Sequence, residues 1–357
     1  MKSGFWNELA KPIIGLSPMD GVTDFPMREI TKKYGNPSIT YTEFTSVEGV
    51  CHGAKQLLKD FLYGEIERPI IGQIYGTTPE FFRQTTIALC QLGYDGIDIN
   101  MGCPAKNVAH SGAGAALIKT PKLAQEIIKA TQQGVQDWLD GQTVRDCPDL
   151  TIEIVEEIER RNALLSPEIA AHDGSRKEIP VSVKTRVGFD TPVIQMWISN
   201  LLEMKPAAIA LHGRTLKQQY SGLANWELIS EAAELAHKTE TLLLGNGDVE
   251  SLADAHQKIE KFKLDGVLIG QASMGNPFIF SGKEKPPIQE IMKIAYEHAV
   301  LYEQTFKDDP RYNFLPMRKH LGWYVRGMEN AAQLRQFIYQ SNSADEFLSI
   351  LKNQGLA

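Results

Sequence analysis

Long apolar runs are missing from this chain of 357 residues. No stretch approaches the roughly 20 residues needed to cross a bilayer, so no membrane span is expected. Cysteine is scarce: four residues, at 51, 90, 103 and 147, with no Cys-x-x-Cys pair and no zinc-like spacing. That excludes a disulfide scaffold and a cysteine-bound metal, and it points to free thiols in a reducing compartment. The first residues, Met1 to Glu8, lack the apolar core of a signal peptide, so the expected location is the cytoplasm. An excess of positive charge is also missing. Lys and Arg number 37 against 44 Asp and Glu, a net charge of −7 that argues against a uniformly basic nucleic-acid binder. The balance is uneven, however. Residues 283–357 carry ten Lys or Arg against nine acids, leaving 27 against 35 for the rest. A local basic patch can still hold a polyanion, because phosphates respond to nearby charge.

What is present is an ordinary globular composition, 43% hydrophobic and 23% charged, on a chain long enough for a large α/β barrel and a smaller domain. Apolar strand-like runs alternate with helical ones up to about residue 280. They begin at Pro12, Ser38, Pro69, Gly96, Pro180, Ala208, Leu242 and Gly266. Eight strand–helix units give the count and size of a (β/α)₈ TIM barrel, here over residues 1–282; a doubly wound open sheet seldom needs eight such units. Residues 137–179 interrupt the rhythm with Asp-Gly and Cys-Pro turns, a charged amphipathic helix from Leu150 to Leu164 and a polar loop from His172 to Glu178. The connection runs helix to strand, so this insertion is expected on the face opposite the strand tips, with no catalytic role. After the Lys283–Pro287 linker, helical spacing alone continues through 288–306, 311–328, 331–339 and 344–353. A small C-terminal all-α domain from 286 to 357 is the expectation.

The chain is organised around residues 94–117. Gly96-Ile-Asp-Ile-Asn100 alternates like a strand with two different faces, Gly102 and Pro104 stop it, and Cys103 falls at the tip. Thr120-Pro121 then opens a helix with a cap and a first-turn proline. A lone cysteine beside a turn is ordinarily a core residue, but Asn100, Lys106 and His110 crowd polar groups around this one. The other tips are polar or glycine-rich too: Ser17 to Asp20, Glu43, Gln73, Lys184 with Arg186, His212 with Arg214, Asn246 to Asp248, and Gly270-Gln271. In parallel barrels chemistry sits at such tips. Glycine motifs after strands seven and eight suit a phosphate held on backbone N–H groups. Lys184 suits an anionic ring, and Gln73 and Asn100 suit imide-type partners. Together they fit a flavin mononucleotide (FMN) across the mouth, although sugar-phosphate substrates use the same pair of loops.

Seven segments resemble the tRNA-dihydrouridine synthases: Ser17–Asp24, Asn100–Lys106, Val183–Arg186, Leu211–Thr215, Asn246–Asp248, Gln218–Trp226 and Met317–Tyr324. They follow that family's order over nearly the whole chain, and Asn-Met-Gly-Cys-Pro is the most specific. The resemblance implies an FMN-binding barrel with a helical tRNA-binding domain, driven by NADPH or NADH, without a metal and monomeric. It implies that Pro18, Met19, Asp20, Gln73, Lys184 and His212 contact the flavin. It further implies that Asn246, Gly247, Asp248, Gly270 and Gln271 hold the ribityl phosphate, that Asn100 positions the base and that Cys103 donates a proton. Lys106, Arg186 and Arg214 would face the substrate, and Arg318, Lys319 and His320 the RNA. Asp20, Gln271 and Asn276 depart from the alanine and two arginines common at those positions, and Gln271 lacks a charge for phosphate. Two other classes fit less of the chain. A flavin-dependent reductase of a free pyrimidine gives the helical domain no task, and a non-catalytic RNA-binding protein needs no flavin.

Overall fold

A computed structural model of the chain describes residues 4–170, 176–284 and 286–356. Nine strands make one parallel sheet: β1 (Ile13–Leu16), β2 (Thr40–Tyr41), β3 (Thr45–Ser46), β4 (Ile70–Tyr75), β5 (Gly96–Met101), β6 (Val181–Arg186), β7 (Ala208–His212), β8 (Leu242–Asn246) and β9 (Gly266–Ile269). Their order is β1-β9-β8-β7-β6-β5-β4-β2, with β3 also on β4. Between β1 and β2 the barrel is bridged by two backbone hydrogen bonds, Ser38 N–H to Ile14 O and Leu16 N–H to Ile39 O. The expected (β/α)₈ barrel is therefore present. The one difference among its strands is that the second is broken into β2 and β3 around residues 42–44, where Thr42 Oγ1 accepts from the backbone of Gln73.

Period-two alternation sorts the side chains into two cores. Outward residues such as Ile70, Ile74, Ile97, Ile99, Val183 and Leu211 pack under the surrounding helices. Inward residues fill the barrel's lower half with Ile13, Tyr41, Ile71, Leu242, Leu244 and Leu268, closed from below by Trp6. Above that apolar plug the inward positions turn polar: Gln73 stands opposite Asp98, Asn100 opposite Lys184, Arg186 opposite His212, and His212 opposite Asn246. The barrel helices start on local caps. Asp24 accepts from Met27 N–H, Asn225 from Leu228 N–H and Ser251 from Asp254 N–H. Thr120 departs from expectation, because it precedes the Pro121–Leu139 helix without making a side-chain cap.

The 137–179 segment lies along the flank of the Pro79–Gln91 helix instead of under the barrel alone. Gln84 exchanges bonds with Asp149, and Asn162 donates to Gln91 O. At one end Thr151 touches Gly53, and at the other Leu165 and Ile169 pack against Gly93. None of its described residues lines the mouth. The polar loop expected at 172–178 lies mostly outside the described residues, as does Lys285 of the linker.

The C-terminal helices are Ile288–Phe306, Leu315–Tyr324, Ala331–Ile338 and Ala344–Asn353. Their core includes Met292, Leu321 and Phe347, but also Ile30 and Phe278 from the barrel side. Lys33 and Tyr34 both reach Glu297. Gly275, with φ of +69°, lies so close to Trp323 that a Cβ there would come within 2.3 Å of its carbonyl carbon.

Inside this helical unit His298 and His320 are almost fully buried, with ring centroids 5.0 Å apart. His298 Nδ1 lies 3.2 Å from the Tyr324 hydroxyl, and neither Nε2 has a partner among the described residues. Burial, then Lys319, lowers His320 to about 3; burial, then His320, pushes His298 well below the usual value. Both rings stay neutral when folded, whereas the unfolded chain takes up protons near pH 6.5. Their effect on stability is therefore absent above that pH and grows as pH falls, by up to about 1.4 kcal/mol per pH unit per ring. His320→Leu should flatten the loss of unfolding free energy between pH 6.5 and 4.5, measured by denaturant titration. Identical slopes for the two proteins would refute the neutral buried ring.

Candidate functional site

Cys103 begins where β5 stops. Asn100 Oδ1 accepts from the N–H of Gly102 at 3.0 Å and of Cys103 at 2.8 Å, and this curls the chain off the strand. Arg186 clamps the turn from the next strand, with Nε donating to Gly102 O at 2.7 Å. Gly114 lets the following segment fold back onto it. Its φ is +60°, and a Cβ would sit 2.9 Å from Cys103 O. The thiol is held at the wall of a cavity of about 670 Å³ at the barrel mouth, with Ala105 N–H directed at Sγ from 3.5 Å.

That cavity gathers most of the residues expected at the tips. Pro18, Met19, Asp20, Asn100, Cys103, Lys106, Lys184, Arg186, His212, Arg214, Asn246, Gly247, Asp248, Gly270 and Gln271 all line it. Two expected contacts need correction. Gln73 is wholly buried beneath the cavity, its amide held between Asp98 Oδ2 and Asn100 Nδ2 at 2.7 and 3.0 Å. It can meet a ligand only through Asn100. His320 lies in the helical core and cannot face RNA. Arg318 is tied within the helical unit, to Ser341 O and Asn342 Oδ1. Lys319 is exposed and lies at the junction, 3.9 Å from a Cβ placed on Gly21.

Several lining side chains are engaged with one another. Arg214 forks onto both oxygens of Asp248 at 2.8 and 2.7 Å, and Asp248 also accepts from Ala224 N–H. This pins the 213–225 loop, from which Gln219 and Tyr220 reach over the cavity. Asn246 Nδ2 donates to Leu268 O. Tyr220 falls within the Gln218–Trp226 segment, which by itself assigns it no role. Phe44, edge-on to Tyr75 and packed near Cys103, gave no signal beyond lying beside Glu43.

The electrostatics favour a protonated thiol beside an unpaired buried cation. Burial raises the Cys103 thiol; Ala105 N–H, Arg186 and Lys184 pull the other way, and Asp20 adds to the rise. Burial and then Arg186 lower Lys184 to about 8, and its ammonium has no hydrogen bond or ion pair among the described residues. His212 is pushed well below its usual value by burial, then by Arg186, Lys184 and Arg214. A neutral imidazole with a lone pair toward Arg214 results.

The residues also fit an anionic, ring-bearing cofactor. The backbone N–H groups of Gly247, Asp248 and Gln271 have no partner among the described residues. Gly247 keeps this lip open: its φ is +113°, and a Cβ would lie 2.8 Å from both His212 and Ala224. Unpaired donors at one side and an unpaired ammonium at the other form a cradle for a phosphate and a polar ring. Among the described residues no group of His, Cys, Asp and Glu could hold a metal ion, and no helix is long and apolar enough to cross a membrane.

Comparison with known proteins agrees with the geometry. A family model described as dihydrouridine synthase (Dus) matches residues 15–144 and 168–356. A probable tRNA-dihydrouridine synthase of Staphylococcus aureus (strain MRSA252) is 33% identical over 360 residues, covering 98% of this chain and 95% of that protein. Probable tRNA-dihydrouridine synthase 2 of Bacillus subtilis (strain 168) is 31% identical over 98% of this chain and 96% of its own. A solved DHODH from Eimeria tenella, in complex with ferulenol, aligns with 73% of this chain and 76% of its own at 12% identity. Its TM-score of 0.47 is too slight a likeness to bear on chemistry.

A raised thiol pKa is testable directly. Iodoacetamide should label Cys103 more slowly at pH 7 than it labels an unstructured cysteine. The rate should keep rising past about pH 8.5, where a free thiol is half ionised. Peptide mass mapping isolates this cysteine from the other three, all buried. A rate already at its plateau by pH 7 would mean a thiolate and would exclude Cys103 as an acid.

Proposed function

The chain belongs to the dihydrouridine synthase family, and on that premise we propose that it reduces the C5–C6 double bond of specific uridines in tRNA. The proposal takes FMN as the flavin and NADPH as the reductant. The observation that carries it is Cys103, a protonated thiol fixed by Asn100 at the wall of a mouth that also presents Lys184 and unpaired backbone donors.

When bound, reduced FMN supplies the hydride that C6 of the uracil receives. The chain's own residues do the rest. Gly247, Asp248 and Gln271 offer backbone N–H groups to the ribityl phosphate, which is how a site with Gln271 in place of an arginine can still hold it. Pro18 and the Met19 side chain would border the ring system, since Met19 N–H already donates to Thr23 Oγ1, and Lys184 would offer an ammonium charged below about pH 8. Asn100 has one Nδ2 hydrogen left after Gln73, free to meet a uracil carbonyl. The Cys103 Sγ–H gives its proton to C5 as hydride arrives at C6, and the thiolate is reprotonated from water. Arg186 holds the Gly102 turn during that exchange, and Arg214 with Asp248 keeps the 213–225 loop over the mouth. A uracil must leave its stack to reach this depth, so the RNA is held by shape and phosphate contacts elsewhere. Residues 286–357 are the proposed tRNA-binding unit, with Lys319 at its junction with the barrel and Lys106 at the rim.

In Cys103→Ala, reduction of the flavin by NADPH should stay near the wild-type rate, since that step needs no proton at C5. Uridine reduction should fall by on the order of 10² to 10⁴. Single-turnover oxidation of the pre-reduced enzyme by unmodified tRNA separates the two half-reactions, and the tRNA mass should gain two hydrogens. Reoxidation of the variant on tRNA at the wild-type rate would leave Cys103 as a core residue only. Turnover of free uracil in place of tRNA would move the assignment to a pyrimidine reductase.

A further inference from the structure

Beneath the mouth lies a buried carboxylate that the chemistry above does not use. Asp98 sits on β5 between Gln73 of β4 and Ser182 of β6, with no exposed surface. Its Oδ1 accepts from Ser182 Oγ at 2.6 Å and its Oδ2 from Gln73 Nε2 at 2.7 Å. Burial raises it to about 6; Ser182, Gln73 and Lys184 oppose the rise, so the group is ionised at neutral pH.

We propose that Asp98 is a positioning residue for Cys103, acting through a one-way relay of two amides, Gln73 and Asn100. The polarity of the relay is fixed from both ends. A carboxylate can only accept, so Gln73 must turn its NH₂ down to Asp98 and its oxygen up. The N–H groups of Gly102 and Cys103 can only donate, so Asn100 must turn its oxygen to them and its NH₂ down. The two amides then meet donor to acceptor, Asn100 Nδ2 to Gln73 Oε1 at 3.0 Å, in the one arrangement that satisfies every member. Removing the carboxylate strands the Gln73 NH₂ in the barrel's interior. Gln73 relieves that by turning or swinging away, and Asn100 loses the acceptor that keeps its amide level with the Cys103 turn.

A core carboxylate without this task predicts something different. An apolar residue of the same size often replaces a buried charge at little cost, and the turn above would not sense the change. Asp98→Leu and Asp98→Asn divide the two cases. Asparagine restores the relay, because its Oδ1 can accept from Gln73 while its Nδ2 donates to Ser182 Oγ. The serine hydroxyl then turns to Ile97 O, already 3.4 Å away.

The inference builds on the role given to Cys103, so the deciding measurement needs no RNA. Iodoacetamide labelling of Cys103 in the purified flavoprotein, read by peptide mass mapping, should quicken about tenfold in Asp98→Leu as the turn loosens. It should return to near the wild-type rate in Asp98→Asn. In single turnover on tRNA, Asp98→Leu should lose on the order of 10² in uridine reduction, the penalty of a small misplacement, while NADPH still reduces the flavin normally. Combined with Asn100→Ala it should lose little more than Asn100→Ala alone, since both cut one relay. Unchanged Cys103 labelling in folded Asp98→Leu, or losses that add fully in the double variant, would overturn the proposal. Should Asp98→Leu not fold, Gln73→Met cuts the relay one step higher and carries the same two expectations. Failure of every variant and the wild type to reduce tRNA, with labelling changed as described, would instead fault the uridine reading and leave the positioning role standing.

Discussion

A closed barrel has no room for water between its inward side chains, so every polar group placed there has to find its partner on a neighbouring strand. This constraint shapes the molecule from the middle upward. Below, Ile13, Ile71, Leu242, Leu244 and Leu268 need no partners and form the plug together with the ring of Tyr41. Above, Ser182, Asp98, Gln73 and Asn100 satisfy one another across β4, β5 and β6 and end on the backbone of Gly102 and Cys103. On the far side Asn246 takes Leu268 O, and Arg214 takes Asp248. At the mouth these matches leave Lys184, the second Asn100 hydrogen and the N–H groups of the last two loops without partners among the described residues. A site emerges as what the pairing leaves over.

Much of this could be read from the residues. Glycine and proline at 102 and 104 end a strand whose alternation is plain, and that alone puts Cys103 at a tip. Eight apolar runs at barrel spacing, each ending in polar residues, fixed which end carries the site. The same alternation places Asp98 on the face of Asn100, but it carries no sign of the buried relay, which depends on partners from β4 and β6. What could not be read was pairing between strands. Gln73 looks like any tip amide until register sets it opposite Asp98. His320 follows Arg318 and Lys319 and looks like part of a basic face. The helix turns it inward against His298, and three successive residues cannot share one face of a helix. Thr120 had the composition of a cap, but its side chain makes no capping bond.

The helical unit is joined to the barrel by more than its linker. Ile30 and Phe278 belong to its core, and Glu297 holds both Lys33 and Tyr34. Gly275 packs against the Trp323 backbone, and it is only five residues beyond Gly270 of the cavity lip. The chain from β9 therefore passes from the proposed phosphate loop straight into the joint between the two units. Any residue with a Cβ at 275 would meet backbone, which cannot yield as a side chain would. The Leu315–Tyr324 helix and the chain leaving that loop therefore meet backbone to backbone.

The joint also bears on the acid itself. Asp20 stands where alanine is common in the resembling family, and it lies close enough to Cys103 to raise the thiol further. Its own carboxyl is raised by burial and lowered by Lys319, which comes from the helical unit. Ala105 N–H, Arg186 and Lys184 draw Cys103 toward the thiolate, whereas burial and Asp20 draw it toward the thiol, and burial is the largest of the five. The acid role proposed for Cys103 requires it to hold its proton until a substrate arrives yet release it to carbon, and this balance suits both needs. Asp20 is the one member of the set whose charge answers to the other unit. Through it, the position of Lys319 reaches the thiol by electrostatics alone, without a bond between them.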